Sequence, residues 1–361
     1  MSRISRKKEH IDLALSSGQS GQHGLYDVKF VHDALPDLAL SDVSYATTIG
    51  GLTLSSPIVI NAMTGGAEEA VRINRALGMI ARRAGLAIAV GSQMAAVKNP
   101  ALAHSYHVVR SENPDGIVLA NLGAEATPDM AKQAVDMIEA NGLQIHLNVM
   151  QELIMPEGER DFTGAAKRIQ AIVQAVAVPV IVKEVGFGIS RETALRLAEC
   201  GVAAIDVGGR GGTNFASIEN ERRDSPYDIL NDWGISTAAS LLETVDARGS
   251  GRSGGRFDII ATGGIRTAMD VARSLALGAN GVGMAGPFLQ FAANENIDGA
   301  YTYICTLHEQ LSMIMCALGA TSLAALQRIP LVITGETYHW AKQRGIDSRL
   351  FAGQNGITKP Q

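Results

Sequence analysis

The chain has 361 residues, 46% hydrophobic and 19% charged, with a net charge of −5. That is enough apolar length for a buried core in one or two domains, and the acidic balance argues against a nucleic-acid partner. No uninterrupted apolar run reaches the roughly 18 residues of a membrane span, and the opening MSRISRKKEHIDLAL lacks the apolar segment of a secretory signal. Cys200, Cys305 and Cys316 are odd in number and widely spaced, against a disulfide framework or a metal cluster. These features predict a cytoplasmic protein.

Residues 1–57 precede the first strongly apolar strand. They hold a basic helix start (Arg3 to Leu15), a Gly/Ser/Gln stretch and a hairpin signal around ATTIGGLTL. Eight β-branched or aliphatic runs then recur: IVINAM (58–63), LAIAVG (86–91), GIVLANLG (116–123), LQIHLNVM (143–150), VPVIVKEVG (178–186), AAIDVGGRGG (203–212), DIIATGG (258–264) and GVGMAG (281–286). Helical-period segments separate them, including Glu68 to Ala84, Asp129 to Ala140, Ala165 to Val176, Arg191 to Cys200 and Thr267 to Leu277. Continuous apolar strands alternating with amphipathic helices predict a parallel sheet covered by helices. Eight such units predict an α/β TIM (β/α)8 barrel over residues 58–361, with chemistry at the strand carboxyl ends. The N-terminal extension 1–57 is expected to close over the active site. A polar insertion after strand 6, NFASIENERRDSPYDILNDWG, suggests a lid or subunit contact. The Met-rich stretch Leu311 to Leu326 reads as a packed helix.

The strand ends carry the candidate chemistry. After strand 1, Met63, Thr64 and Gly65 offer a small-residue bed with backbone N–H groups for a flat ring. Ser92 offers a hydroxyl after strand 2. Asn121 sits in the apolar LANLG of strand 3, and a buried amide needs partners. In HLNVMQE, period-two alternation puts His146 and Asn148 on one strand face, with Gln151 and Glu152 at the mouth. Glu152 suits a divalent cation shared with substrate phosphates. Lys183 lies in an apolar run and should meet an anion or an electron-rich ring; Glu184 faces the other way and suggests a structural ion pair. Strand 6 ends in GGRGGTNF, where Thr213 offers a hydroxyl. Gly264, Ile265 and Arg266 after strand 7, with Ala285 and Gly286 after strand 8, form a two-turn phosphate cradle.

A cation on strand 5, an amide on strand 3, a flat bed on strand 1 and that cradle together describe an FMN site, with Lys183 near the flavin N1/C2 edge. No histidine lies between His146 and His308, which removes the base that hydroxy-acid-oxidising FMN barrels use after strand 6. No cysteine lies there for inosinate-dehydrogenase-like chemistry. Ser217 leaves dihydroorotate-dehydrogenase-like chemistry weakened, not excluded.

Through RKKEH (Arg6 to His10), NAMTGG (61–66), HLNVMQE (146–152), VIVKEVGFG and GGTNF, the chain resembles the type 2, FMN-dependent isopentenyl-diphosphate isomerases over nearly its whole length. The resemblance implies reversible interconversion of isopentenyl and dimethylallyl diphosphates, with reduced FMN as acid/base, Mg²⁺, and NADPH only as flavin reductant. It implies FMN contacts at Met63, Thr64, Gly65, Ser92, Asn121, Lys183, Thr213, Gly264, Ile265, Arg266, Ala285 and Gly286. Substrate contacts fall on Arg6, Lys7, His10, Asn148 and Gln151, and the metal ligand on Glu152. Gln151, Lys183 and His146 are the expected catalytic groups. The family also suggests a tetramer or octamer.

Overall fold

The computed structural model describes residues 22–250 and 256–353. Twelve strands occur among them: β1 (Val28–Phe30), β2 (Thr47–Ile49), β3 (Leu52–Leu54), β4 (Ile58–Ile60), β5 (Ala87–Ala89), β6 (Val118–Gly123), β7 (Gly142–Leu147), β8 (Val180–Glu184), β9 (Ala204–Asp206), β10 (Asp258–Thr262), β11 (Gly281–Met284) and β12 (Leu331–Ile333). Strands β4 to β11 pair in parallel in chain order, and β11 pairs back onto β4, closing an eight-stranded barrel. This is the TIM barrel expected from the eight apolar runs. The ladders are shorter than those runs, because the glycines and polar residues after each strand turn into loops.

Alternation along the strands sets two layers inside the barrel. Val59, Ala87, Ala89, Leu119, Ile181, Ala204 and Ile260 form an apolar layer at the amino ends. Two residues further along β4, β6, β8, β9 and β10 stand Asn61, Asn121, Lys183, Asp206 and Thr262. The barrel is therefore sealed with hydrocarbon below and lined with polar groups above. Outward-facing residues such as Ile58, Ile60, Val180, Val182 and Ile205 pack under the surrounding helices. Four of those helices begin at side-chain caps: Thr127, Ser190, Ser236 and Thr267 each accept a backbone N–H of the first turn.

The hairpin expected at ATTIGGLTL forms from β2 and β3. It sits at the end of the barrel opposite the mouth. Ile49 and Leu54 join the lower apolar layer, the Gly50 N–H donates to Asp258 Oδ2 at 2.7 Å, and Thr47 Oγ1 donates to the Asn280 carbonyl at 2.7 Å. Strand β1 instead pairs antiparallel with β12, tying residues before the barrel to those after it. Of the extension expected to close over the mouth, this part plugs the floor and braces the side; residues 1–21 lie outside the described residues. The Met-rich segment is two helices, Ile297–Ala317 and Leu323–Leu326, because Gly319 at φ 71 breaks the run.

Candidate active site

The loops after β4 and β5 are joined at the mouth. The Gly91 N–H donates to the Thr64 carbonyl at 3.0 Å, and the Tyr106 hydroxyl donates to the Ser92 carbonyl at 2.6 Å. The Tyr106 ring lies so close to Gly65 that a Cβ there would fall 2.0 Å from a ring carbon, which explains why this turn tolerates no side chain. Met63, Thr64, Gly65 and Ser92 thus form one rigid edge. Beyond β9 and β10 the chain is stacked backbone on backbone: a Cβ on Gly264, at φ +78, would lie 2.2 Å from the Gly211 carbonyl oxygen. Thr237 locks the two loops together by donating its hydroxyl to the Gly263 carbonyl at 2.7 Å. Ile265 and Arg266 follow that turn, Thr213 follows the β9 glycines, and Ala285 and Gly286 open the helix Gly286–Ala293 after β11. The residues expected to contact the ring and phosphate therefore lie at or just beyond the carboxyl ends of their strands.

Two features fit an FMN there. Thr64 Oγ1 is buried without a protein partner, a position that a ligand acceptor or donor would satisfy. The helix Gly286–Ala293 starts with no side-chain cap, so its first N–H groups and dipole suit an anion such as the FMN phosphate.

Below this rim a chain of side chains, half-buried at His146 and buried beyond it, crosses the barrel. His146 Nδ1 lies 2.9 Å from Asn121 Oδ1; Asn121 Nδ2 donates to Gln144 Oε1 at 3.2 Å; Gln144 Nε2 donates to Asn61 Oδ1 at 3.1 Å. Asn61 Nδ2 then donates to Asp206 Oδ2 at 2.7 Å and to Thr262 Oγ1 at 3.2 Å. Gly283 on β11 leaves the space for this crossing, since a Cβ there would fall 2.7 Å from Asn61 Nδ2. Lys183 is 93% buried in register between His146 and Asp206, and its Nζ donates to the Glu184 carbonyl at 2.8 Å. Burial raises the Asp206 carboxyl above the ordinary range, while Lys183, Thr262, Asn61 and the Gly208 amide pull it back.

Among the described residues Glu184 forms no ion pair of the expected kind. Its Oε2 accepts the N–H groups of Val185, Gly186, Phe187 and Gly188 (2.7, 2.7, 2.5 and 3.2 Å), pinning the loop after β8. Burial pushes its carboxyl up to about 7 despite those amides and Lys183. A carboxyl raised in the folded state binds its proton before the unfolded chain does, so its contribution to stability is present below about 4.5 and lost as pH rises through about 7. Glu184→Gln should therefore flatten the pH dependence of the melting temperature between those values. The wild-type contribution over that span is on the order of 3 kcal/mol; equal slopes in both proteins would disprove the assignment.

The segment after β7 departs from the expected strand face. The ladder ends at Leu147, and Asn148 (φ −141, ψ 40) begins the helix Val149–Ile154. Asn148, one residue past the ladder, donates from Nδ2 to Glu152 Oε1 at 2.9 Å. Glu152 Oε2 also accepts the Glu159 N–H at 2.8 Å; Glu152 remains partly exposed, each oxygen keeping a lone pair for a cation. Among the described residues no set of three acidic, histidine or cysteine groups could hold a metal by itself, so a cation here needs substrate oxygens. Gln151 is buried and donates to Glu219 Oε1 at 2.9 Å. Glu219, fully buried, is paired with Arg222 at 2.5 Å. It comes from the helix Phe215–Glu221 of the insertion, which packs beside the mouth through Ile154, Phe187 and Ala216. Arg6, Lys7 and His10 lie outside the described residues.

Sequence reading missed Asn61, Gln144, Asp206, Thr262 and Glu219. The first four were detectable, being polar positions in apolar strands like Asn121. Glu219 was not, since 68 residues separate it from Gln151.

A closed barrel with a buried cation, a polar upper layer and glycine turns at its last strands defines a flavin-type barrel. The FMN-dependent dehydrogenase family matches residues 118–332, and solved structures agree in fold. A flavocytochrome b2 variant superposes with a TM-score of 0.67 at 19% identity, covering 90% of this chain and 83% of that chain. A mandelate oxidase variant with benzaldehyde gives 0.63 at 20% identity, covering 91% and 97%. The curated relatives are more specific. The isopentenyl-diphosphate delta-isomerases of Geobacillus sp. (strain WCH70) and Bacillus licheniformis are 52% and 55% identical over 353 residues, covering 98% of this chain and 99% of each relative. The chain belongs to the isopentenyl-diphosphate delta-isomerases and is an enzyme of that family.

Proposed function

We propose that the protein binds FMN in the barrel mouth and interconverts isopentenyl and dimethylallyl diphosphates by a 1,3-proton shift with no net redox change. The observation that carries this reading is the buried polar layer holding Lys183 beneath a glycine-rich rim. In this reading Lys183 faces an electron-rich ring, and no histidine between His146 and His308 is there to serve hydroxy-acid oxidation after β9. Bound reduced FMN supplies an electron-rich ring with an acid/base nitrogen, and NADPH serves only to keep it reduced.

The chain's own groups do the rest. Lys183 would stabilise the negative charge of the bound reduced ring. Thr64 and Asn121 contact the ring, while Gly264, Ile265, Arg266, Ala285 and Gly286 hold the phosphate. Thr213 and Ser92 complete the rim. Glu152 carries Mg²⁺ against the substrate diphosphate, and Arg6, Lys7 and His10 add charge-assisted hydrogen bonds. Gln151 is oriented by Glu219, so a buried carboxylate stands behind the amide that faces the substrate. His146 and Asn148 border the same space. The enzyme acts in the cytoplasm as a homo-oligomer, a tetramer or octamer. Replacing FMN with 5-deaza-FMN, whose position 5 cannot shuttle a proton, should abolish turnover; undiminished activity would sink the acid/base role.

A further inference from the structure

The side chains that cross the barrel have a direction. Asn61 Oδ1 accepts both the Ala62 N–H at 2.8 Å and Gln144 Nε2 at 3.1 Å, while its Nδ2 faces Asp206 and Thr262. Turning this amide over would set its NH₂ against a backbone N–H and its carbonyl against a carboxylate. Its orientation is therefore fixed from both ends, by the backbone just after β4 and by Asp206, whatever the charge on that carboxyl. With Asn61 fixed, Gln144 must present Nε2 to Asn61 and Oε1 to Asn121, since the reverse would bring two acceptors together. Asn121 must then give Nδ2 to Gln144 and Oδ1 to His146. The ring nitrogen facing an obligate acceptor has to carry a proton. Asn61, Asn121, Gln144 and Asp206 are each at least 98% buried, so no bulk water competes for the bonds among them, and only the last bond, to the half-buried His146, lies nearer the mouth.

We propose that Asp206, acting through Asn61, Gln144 and Asn121, is a positioning residue that locks His146 as the Nδ1–H tautomer. Proton gain and loss on the ring then occur only at Nε2. A neutral His146 offers Nε2 as an acceptor, and a protonated one offers Nε2–H to an anionic substrate, without any rotation of the ring. The tautomer follows from the hydrogen bonds alone; its use in turnover rests on the isomerase reading above.

The test is two-bond ¹⁵N–¹H NMR on FMN-loaded enzyme labelled at histidine ring nitrogens, at a pH above the ring's titration. The His146 signals are those lost in His146→Gln. A single Nδ1–H tautomer is expected, and a neutral Nε2–H tautomer in the wild type would overturn the proposal whatever any variant does. Gln144→Leu removes both amide contacts and should turn the single tautomer into a mixture. Gln144→Glu, whose buried carboxyl must carry a proton to donate to Asn61 Oδ1, keeps its other oxygen facing Asn121 Nδ2 and should restore it. A folded Gln144→Leu protein with an unchanged single tautomer would show that the relay does not act. Because the spectrum needs no turnover, its outcome is separate from that of the isomerase assay.

Discussion

Replacing Lys183 with methionine is expected to lower kcat by about 10²–10³-fold, the usual cost of removing one preorganised electrostatic contact from a water-poor site. Lys183 is almost fully buried on β8, and its neighbours in register are His146 and Asp206. Burying an ammonium is costly unless an opposite charge answers it. Asp206 answers part of that charge, and a reduced anionic ring above it would answer the rest. Methionine keeps the length and the apolar stem, so the fold should survive. The second readout is spectroscopic: the variant's reduced flavin should shift from the anionic toward the neutral form. Wild-type kcat with an unchanged reduced-flavin spectrum would remove Lys183 from the chemistry.

Gly264→Ala should cost stability and flavin together. At φ +78 an L side chain pays about 1–2 kcal/mol for the left-handed conformation. Its Cβ would also stand 2.2 Å from the Gly211 carbonyl oxygen, a backbone atom locked by its own loop. Overpacking of this kind adds about 1–3 kcal/mol. The two loops must part, and the phosphate cradle opens with them. Gly345→Ala is the matched control: φ is +69, but no atom lies within 4 Å of the added carbon. Melting temperature and bound flavin per chain should both fall in Gly264→Ala, whereas Gly345→Ala should lower the melting temperature slightly and leave flavin content unchanged. Equal effects in the two variants would refute the cradle's tightness.

The barrel was legible because its signal is periodic: eight apolar runs separated by amphipathic helices admit few other closures. Within the site, Asn121 and Lys183 stood out as polar residues in apolar strands. Asp206 and Gln144 obey the same rule, but the glycines after Asp206 and the histidine after Gln144 drew the reading past them. Local alternation misled at two places where a strand stops. Asn148 begins a helix and bonds to Glu152, and Glu184 is overtaken by its own loop, whose amides fold back onto the carboxylate. Neither turn is encoded in a period of two. The contact between Gln151 and Glu219 joins β7's loop to the insertion, a long-range pairing that only the assembled mouth reveals. The hairpin was readable from its turn, but its place at the barrel floor was not, since that depends on Ile49 and Leu54 finding the lower apolar layer.

The most direct measurement of the enzyme's activity is anaerobic incubation with isopentenyl diphosphate, FMN, Mg²⁺ and NADPH, following dimethylallyl diphosphate and NADPH together. Many turnovers per NADPH consumed are expected, because the reductant only primes the flavin. Product matched one for one by NADPH loss, or no product from fully reduced enzyme, would contradict the proton-shift account.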